Sequence, residues 1–211
     1  MKPIAIHRTL GRLPYMTLEQ GTYIYDIIKR ENLSHVLELG FYHGVSSMYF
    51  AGALAEIEGG LCISIDRSAA LSLEPNIYSL AEKCGLSDRL RIITSEWSYT
   101  YHLLELLEEG WRNRFDLIYV DGGHTWELTG MAVSLSAHLL RPGGWLLLDD
   151  LDWTVEKSYR RKQQEIPFRL AAPASLPGVR KAFEQLVKLD ARFEQETEYR
   201  SWGVARRSST L

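Results

Sequence analysis

The stretch Val36-Leu-Glu-Leu-Gly-Phe-Tyr-His-Gly-Val-Ser-Ser47 limits what this chain can fold into more than any other segment. An apolar strand ends in an acidic residue and runs directly into two glycines four apart. Gly40 and Gly44 lack the Cβ that would hold the backbone away from a ligand, and a helix starting near Gly44 turns its free N–H groups toward whatever sits there. The glycine spacing separates two kinds of nucleotide ligand. A dinucleotide loop needs G-x-G-x-x-G to admit a pyrophosphate, whereas the second and third glycine positions here are Tyr42 and Val45. That departure disfavours a nicotinamide-dependent dehydrogenase.

The rest of the chain repeats the same strand-to-helix step, the signature of a parallel sheet covered on both faces. Strands are predicted at 35–40, 61–66, 89–94, 115–121 and 143–149, after a helical segment over residues 1–33. Intervening helices follow from apolar residues three to four apart, such as Leu103, Leu106 and Leu107, or Met131, Leu135 and Leu139. Pro142-Gly143-Gly144 predicts a turn, since proline cannot continue the preceding helix. Residues 150–176 are polar and irregular, a candidate lid; a helix is expected over Gly178–Leu189, then two strands over 191–199 and 202–206. With 211 residues and 45% hydrophobic content, one α/β domain over 1–211 can bury a full three-layer core.

A net charge of −3 argues against nucleic acid or an anionic membrane surface as partner and favours a small molecule. No window reaches the length of a membrane span and no leader is read at the start. Cys62 and Cys84 form no C-x-x-C pair, which fits a reducing cytoplasm. A homo-oligomer is left open.

Ligands of such sheets gather beyond the carboxyl ends of the strands. The polar residues there are Glu38 and Gly40, Asp66, Ser95 and Glu96, Asp121, and the pair Asp149-Asp150. Asp66 either accepts the hydroxyls of a bound ribose or caps the helix that follows. Glu38 sits in an apolar strand, where a carboxylate is costly unless a ligand ammonium or a cluster of backbone N–H groups pairs with it.

The pattern E-x-G-x-x-x-G over Glu38–Gly44 resembles motif I of class I S-adenosylmethionine (AdoMet) dependent methyltransferases. Together with Asp121-Gly-Gly-His124 and Pro142-Gly-Gly-Trp-Leu-Leu-Leu-Asp-Asp150, residues 33–152 resemble the methyltransferase type 24 family and its catechol-type and macrolide-sugar O-methyltransferase relatives. The resemblance implies a three-layer, Rossmann-like fold with a mostly parallel seven-stranded sheet whose last strand is antiparallel. It implies AdoMet contacts from Glu38, Gly40, Phe41, Tyr42, Gly44, Ser46, Arg67 and Asp121, ribose contact from Asp66, and adenine-side contacts from Ser95 and Glu96. It also implies that Asp121, Asp149 and Asp150 hold one Mg²⁺, an ion suited to hard oxygen ligands. Two departures stand against that: Gly123 replaces the aspartate of the sugar enzymes and His124 the lysine of the catechol enzymes. Capping roles for Asp149 and Asp150 are the alternative.

His124, three residues past Asp121, is the candidate catalytic base beside Asp121; a helix-capping or orienting role is the competing account. His43 is read as shaping the loop, Trp111 and Trp145 as packing, Trp126 and Trp153 as walls for the acceptor, and Trp97 as a neighbour of adenine. The basic run Lys157–Lys162 is a solvated face or a grip for an acidic acceptor. Taken together, these residues predict an AdoMet-dependent O-methyltransferase acting on a small hydroxylated acceptor. Its rivals are a metal-independent N- or O-methyltransferase and a non-catalytic AdoMet-binding module.

Overall fold

The computed structural model describes residues 1–11, 13–167 and 173–209. Two strands at its centre, β1 (His35–Leu39) and β4 (Phe115–Val120), are apolar almost throughout because both of their faces are covered. Around them lie β2 (Leu61–Arg67), β3 (Leu90–Ser95), β5 (Leu140–Leu148), β6 (Phe193–Tyr199) and β7 (Trp202–Arg207) in the order β3-β2-β1-β4-β5-β7-β6. The first five are parallel, and β7 runs antiparallel to both β5 and β6, as expected of the reversed last strand. The order changes direction between β1 and β4, so the crevice for a ligand opens at their carboxyl ends.

Side-chain alternation along these strands divides the core. Val36, Leu117, Tyr119 and Leu147 pack with α1 (Pro3–Leu10), α2 (Leu18–Glu31), α3 (Val45–Leu54) and α4 (Ile77–Cys84). Leu37, Leu39, Ile118 and Val120 pack with α5 (Tyr99–Glu108), α6 (Trp126–Leu139) and α8 (Gly178–Ala182) on the other face. Every residue of α3 is buried, because α1, α2 and α4 enclose it against the sheet. No helix among the described residues is long and apolar enough to cross a membrane, and both cysteines are free and buried.

Three expectations are corrected. Pro142–Gly144 is no turn: β5 runs through it from Leu140 to Leu148. Leu140 pairs with Phe115 and the register then slips before Trp145 meets Leu117, so an irregularity absorbs the proline, with Gly143 at φ 74°. The helix expected over 178–189 is α8 followed by a single π turn over Phe183–Val187. The 150–176 segment contains a helix, α7 (Val155–Arg161), capped by Thr154 Oγ1 on Lys157 N at 3.1 Å; residues 168–172 of that segment lie outside the described residues.

At the edge opposite the crevice, the buried Asp116 ties three strands together. Its Oδ2 accepts the N–H groups of Ser34 and His35, both at 2.8 Å, and its Oδ1 pairs with Arg141 Nε. Burial alone would raise its pKa, but Arg141 and the two N–H groups outweigh it and hold the carboxyl below its ordinary value. Replacing Asp116 by alanine strands a guanidinium and two N–H groups, so we expect a loss of about 3 kcal/mol in urea unfolding. A loss below about 0.5 kcal/mol would show that the tie contributes little.

Candidate active site

The loop from β1 to α3 is shaped from both sides. Gly40 stands at φ 93°, and a Cβ there would lie 2.5 Å from the carbonyl oxygen of Asp121. Gly44, at φ 94°, is excluded from change by α4 instead, since its Cβ would meet Ile77 at 2.7 Å. One glycine therefore lets the ends of β1 and β4 touch, and the other lets the loop pack under a helix. Asp66 fixes the loop from β2: its Oδ2 accepts Phe41 N at 2.8 Å and Tyr42 N at 2.6 Å, and its Oδ1 accepts Arg67 N at 2.6 Å. His43 Nδ1 lies 2.5 Å from Pro75 O, consistent with a loop-shaping role.

Glu38 is fully buried, and hydroxyls rather than backbone N–H groups satisfy its carboxylate among the described residues. Ser46, Ser47 at 2.5 Å and Ser64 at 2.6 Å all donate to it. Ser64 is its cross-strand partner on β2, and the two other serines open α3. Burial raises the Glu38 pKa from 4.5 to about 7 against the lowering effect of the hydroxyls.

At the ends of β4 and β5 the acids part company. Asp149 points into the protein: Tyr119 Oη donates to its Oδ2 at 2.5 Å, and Ser201 Oγ and Asp150 N donate to its Oδ1 at 3.0 and 2.5 Å. Asp150, at φ 57°, turns the other way. His124 Nε2 lies 3.4 Å from Asp121 Oδ1 and 3.3 Å from Asp150 Oδ2; it is shielded from solvent and makes no hydrogen bond of good geometry. Burial pulls the His124 pKa down, but the two carboxylates outweigh it and raise it from 6.5 to about 9, above the near-neutral range expected of a histidine. One ligand atom from each of Asp121, His124 and Asp150 lies within 4.8 Å of the others.

A cavity of about 860 Å³ joins these parts, running from Gly40, Tyr42 and Asp66 to Asp121, His124 and Asp150, with Tyr15, Arg161 and Lys162 at its walls. A smaller recess of about 80 Å³ continues past Asp66 and Arg67 to Trp97, Tyr99 and Leu128. Glu96 is exposed and borders neither space, and Ser95 is engaged with Ser98 O at 3.2 Å and Trp97 N at 3.3 Å. Trp153 stacks on the His124 imidazole with ring centroids 5.0 Å apart.

Residues 37–151 match the family model described as "Methyltransferase domain". The chain belongs to that family. A probable caffeoyl-CoA O-methyltransferase 2 of Dictyostelium discoideum is 26% identical to this methyltransferase domain over 133 residues, 63% of the chain and 54% of the relative. The chain thus spans about half the length of the curated relatives it matches. Among solved structures, an O-methyltransferase of Bacillus cereus in complex with SAH superposes with a TM-score of 0.68 at 18% identity, covering 98% of this chain and 90% of that one. One of Streptomyces achromogenes involved in tomaymycin synthesis, in complex with SAM, gives 0.66 at 19%, covering 98% and 88%. These likenesses carry the fold of the methyltransferase domain.

Sequence reasoning missed Ser47, Ser64 and Tyr119 as partners of the buried acids. Their signal was register: Ser64 and Tyr119 flank Glu38 on neighbouring strands of the same face. The raised pKa of Glu38 carries a stability cost with a definite sign. A folded-state value of about 7 against 4.5 means that its contribution is fully present below 4.5 and is lost as pH rises through about 7. Glu38→Gln, which keeps the shape without the charge, should gain on the order of 3 kcal/mol over the native chain between pH 5 and pH 8 in denaturant titrations. A difference that does not change with pH would contradict this.

Proposed function

We propose that the chain is an AdoMet-dependent methyltransferase that transfers a methyl group to a hydroxyl of a small acceptor. The observation that carries this is the single cavity joining the Asp66 loop to the cluster of Asp121, His124 and Asp150. Its volume suits two small ligands side by side. The names of the caffeoyl-CoA relatives support an oxygen acceptor. In this reading Gly40, Phe41, Tyr42 and Asp66 seat AdoMet, and Trp97 and Arg67 border its adenine side. Three N–H groups leave the Asp66 carboxylate oxygens capacity to accept from a ribose hydroxyl.

In this reading the acceptor oxygen would attack the methyl carbon in line, the C–S bond would break with its electron pair going to sulfur, and the hydroxyl proton would pass to the neutral His124 imidazole, whose Nε2 side is held by Asp121 and Asp150. Alignment supplies most of the rate, because the sulfonium already makes the methyl electrophilic. Asp121 and Asp150 hold the imidazole and stabilise its protonated form; Asp149 and Tyr119 fix the floor beneath them. Since only neutral imidazole accepts the proton, the rate with free enzyme rises with pH through the His124 pKa.

A second reading rests on the convergence of three ligand atoms. Asp121, His124 and Asp150 fit a divalent cation, whereas Asp149, expected in that trio, is taken up by Tyr119 and Ser201. Such an ion would orient the acceptor hydroxyl and lower its pKa. His124 is then a ligand, and the proton leaves to solvent.

The test is transfer from methyl-labelled AdoMet to catechols, glycosides and amines, after exhaustive EDTA treatment and again with Mg²⁺ or Mn²⁺. We expect label on hydroxyl acceptors. His124→Gln should lower the rate by about two to four powers of ten, and the native kcat/KM should climb toward a plateau above about pH 9. Activity that survives EDTA supports His124 as base; activity lost and restored by the ion supports the second reading. Transfer confined to amines would overturn the oxygen acceptor. Binding of S-adenosylhomocysteine without transfer to anything would point to a non-catalytic module.

A further inference from the structure

The cavity is polarised. Half-buried Asp66, Asp121 and Asp150 line it together with exposed Arg161 and Lys162, where α7 runs out. These two cations differ from their neighbours. Arg160 pairs with Glu156 at 2.6 Å, Lys157 donates to Asp152 O at 3.0 Å, and Arg180 bridges Asp152 and Glu198. The side chains of Arg161 and Lys162 have no hydrogen bond, ion pair or ring contact among the described residues. Tyr15 lines the same cavity, half exposed at φ 87°, with its ring stacked on His43 and edge-on to Tyr42 at centroid distances of 5.1 and 5.0 Å. A non-glycine residue at that φ is uncommon, and here it leaves an aromatic face beside the cavity.

We propose that the acceptor is a flat hydroxylated ring carrying an anionic group, a carboxylate or a phosphorus oxyanion, which Arg161 and Lys162 hold at the mouth. The ring lies against Tyr15, and its hydroxyl points inward to the Asp121 end. Unpaired cations facing an acidic interior favour a ligand with its negative charge outermost, and a guanidinium with an ammonium beside it suits such oxyanions. This rests on the methyl-transfer reading for the place of the hydroxyl, but the anion subsite is a binding claim with its own test.

The experiment is calorimetric binding to the full chain saturated with S-adenosylhomocysteine, using 3,4-dihydroxybenzoate, 3,4-dihydroxyphenylphosphonate and the neutral methyl 3,4-dihydroxybenzoate. One or both anions should bind at least tenfold tighter than the ester, and the stronger of the two identifies the oxyanion. That preference should shrink at 0.5 M salt and vanish in the Arg161→Gln, Lys162→Gln double variant. Tyr15→Ala should weaken anion and ester alike, and the double variant should bind S-adenosylhomocysteine as the native chain does. Equal binding of ester and anions overturns the proposal, as does a double variant that keeps the preference or that loses S-adenosylhomocysteine, which would assign the cations to the cofactor's own carboxylate. Anions that bind as expected but are never methylated leave the subsite standing and refute the methyl-transfer reading alone.

Discussion

The site depends on the contact between Gly40 and the backbone of Asp121. β1 and β4 are hydrogen-bonded neighbours whose chains continue in opposite directions across the sheet order, and their ends meet so tightly that no Cβ fits at Gly40. That closeness forces the β1 loop to turn upward at positive φ and directs Asp121 and His124 over the same space. Asp66 then anchors the loop from the other side by accepting the N–H groups of Phe41 and Tyr42. A cavity that joins the glycine loop to an acid–histidine cluster follows from two adjacent strand ends and one carboxylate.

The acids at this edge occupy three different electrostatic situations, and their roles follow from them. Glu38 is sealed beneath the loop with three hydroxyls, and burial pushes it toward its neutral form. Asp149 is buried against Tyr119, where it supports the floor of the cavity. Asp121 and Asp150 face the cavity and hold His124 between them. Like charges so close would repel one another without a cation in their midst, and a protonated His124 serves that purpose, as a metal ion would in its place.

Much of this was legible in the sequence. The apolar runs that form β1, β2, β4 and β5, the two glycines and the acids at strand ends are local signals, and they place the sheet and its crevice correctly. What the sequence conceals is side-chain direction. Asp149 and Asp150 are neighbours, and only the positive φ of Asp150 sends one carboxylate inward and the other outward. The serines around Glu38 come from β2 and from α3, so their meaning depends on register. Pro142-Gly143-Gly144 reads as a turn by composition, but pairing of Leu140 with Phe115 draws it into β5. Tyr15 and Lys162, which share one cavity, are brought together only by the tertiary fold.

The central claim is that the Asp66-anchored loop and the cavity above it form the AdoMet site. Titration calorimetry with S-adenosylhomocysteine on the native chain and on Asp66→Ala tests it most directly. The account predicts one site per chain and an affinity loss of about 1–3 kcal/mol in the variant, the scale of losing hydrogen bonds to a charged group. No heat of binding with the native chain, or an Asp66→Ala variant that binds as tightly as native, would contradict it.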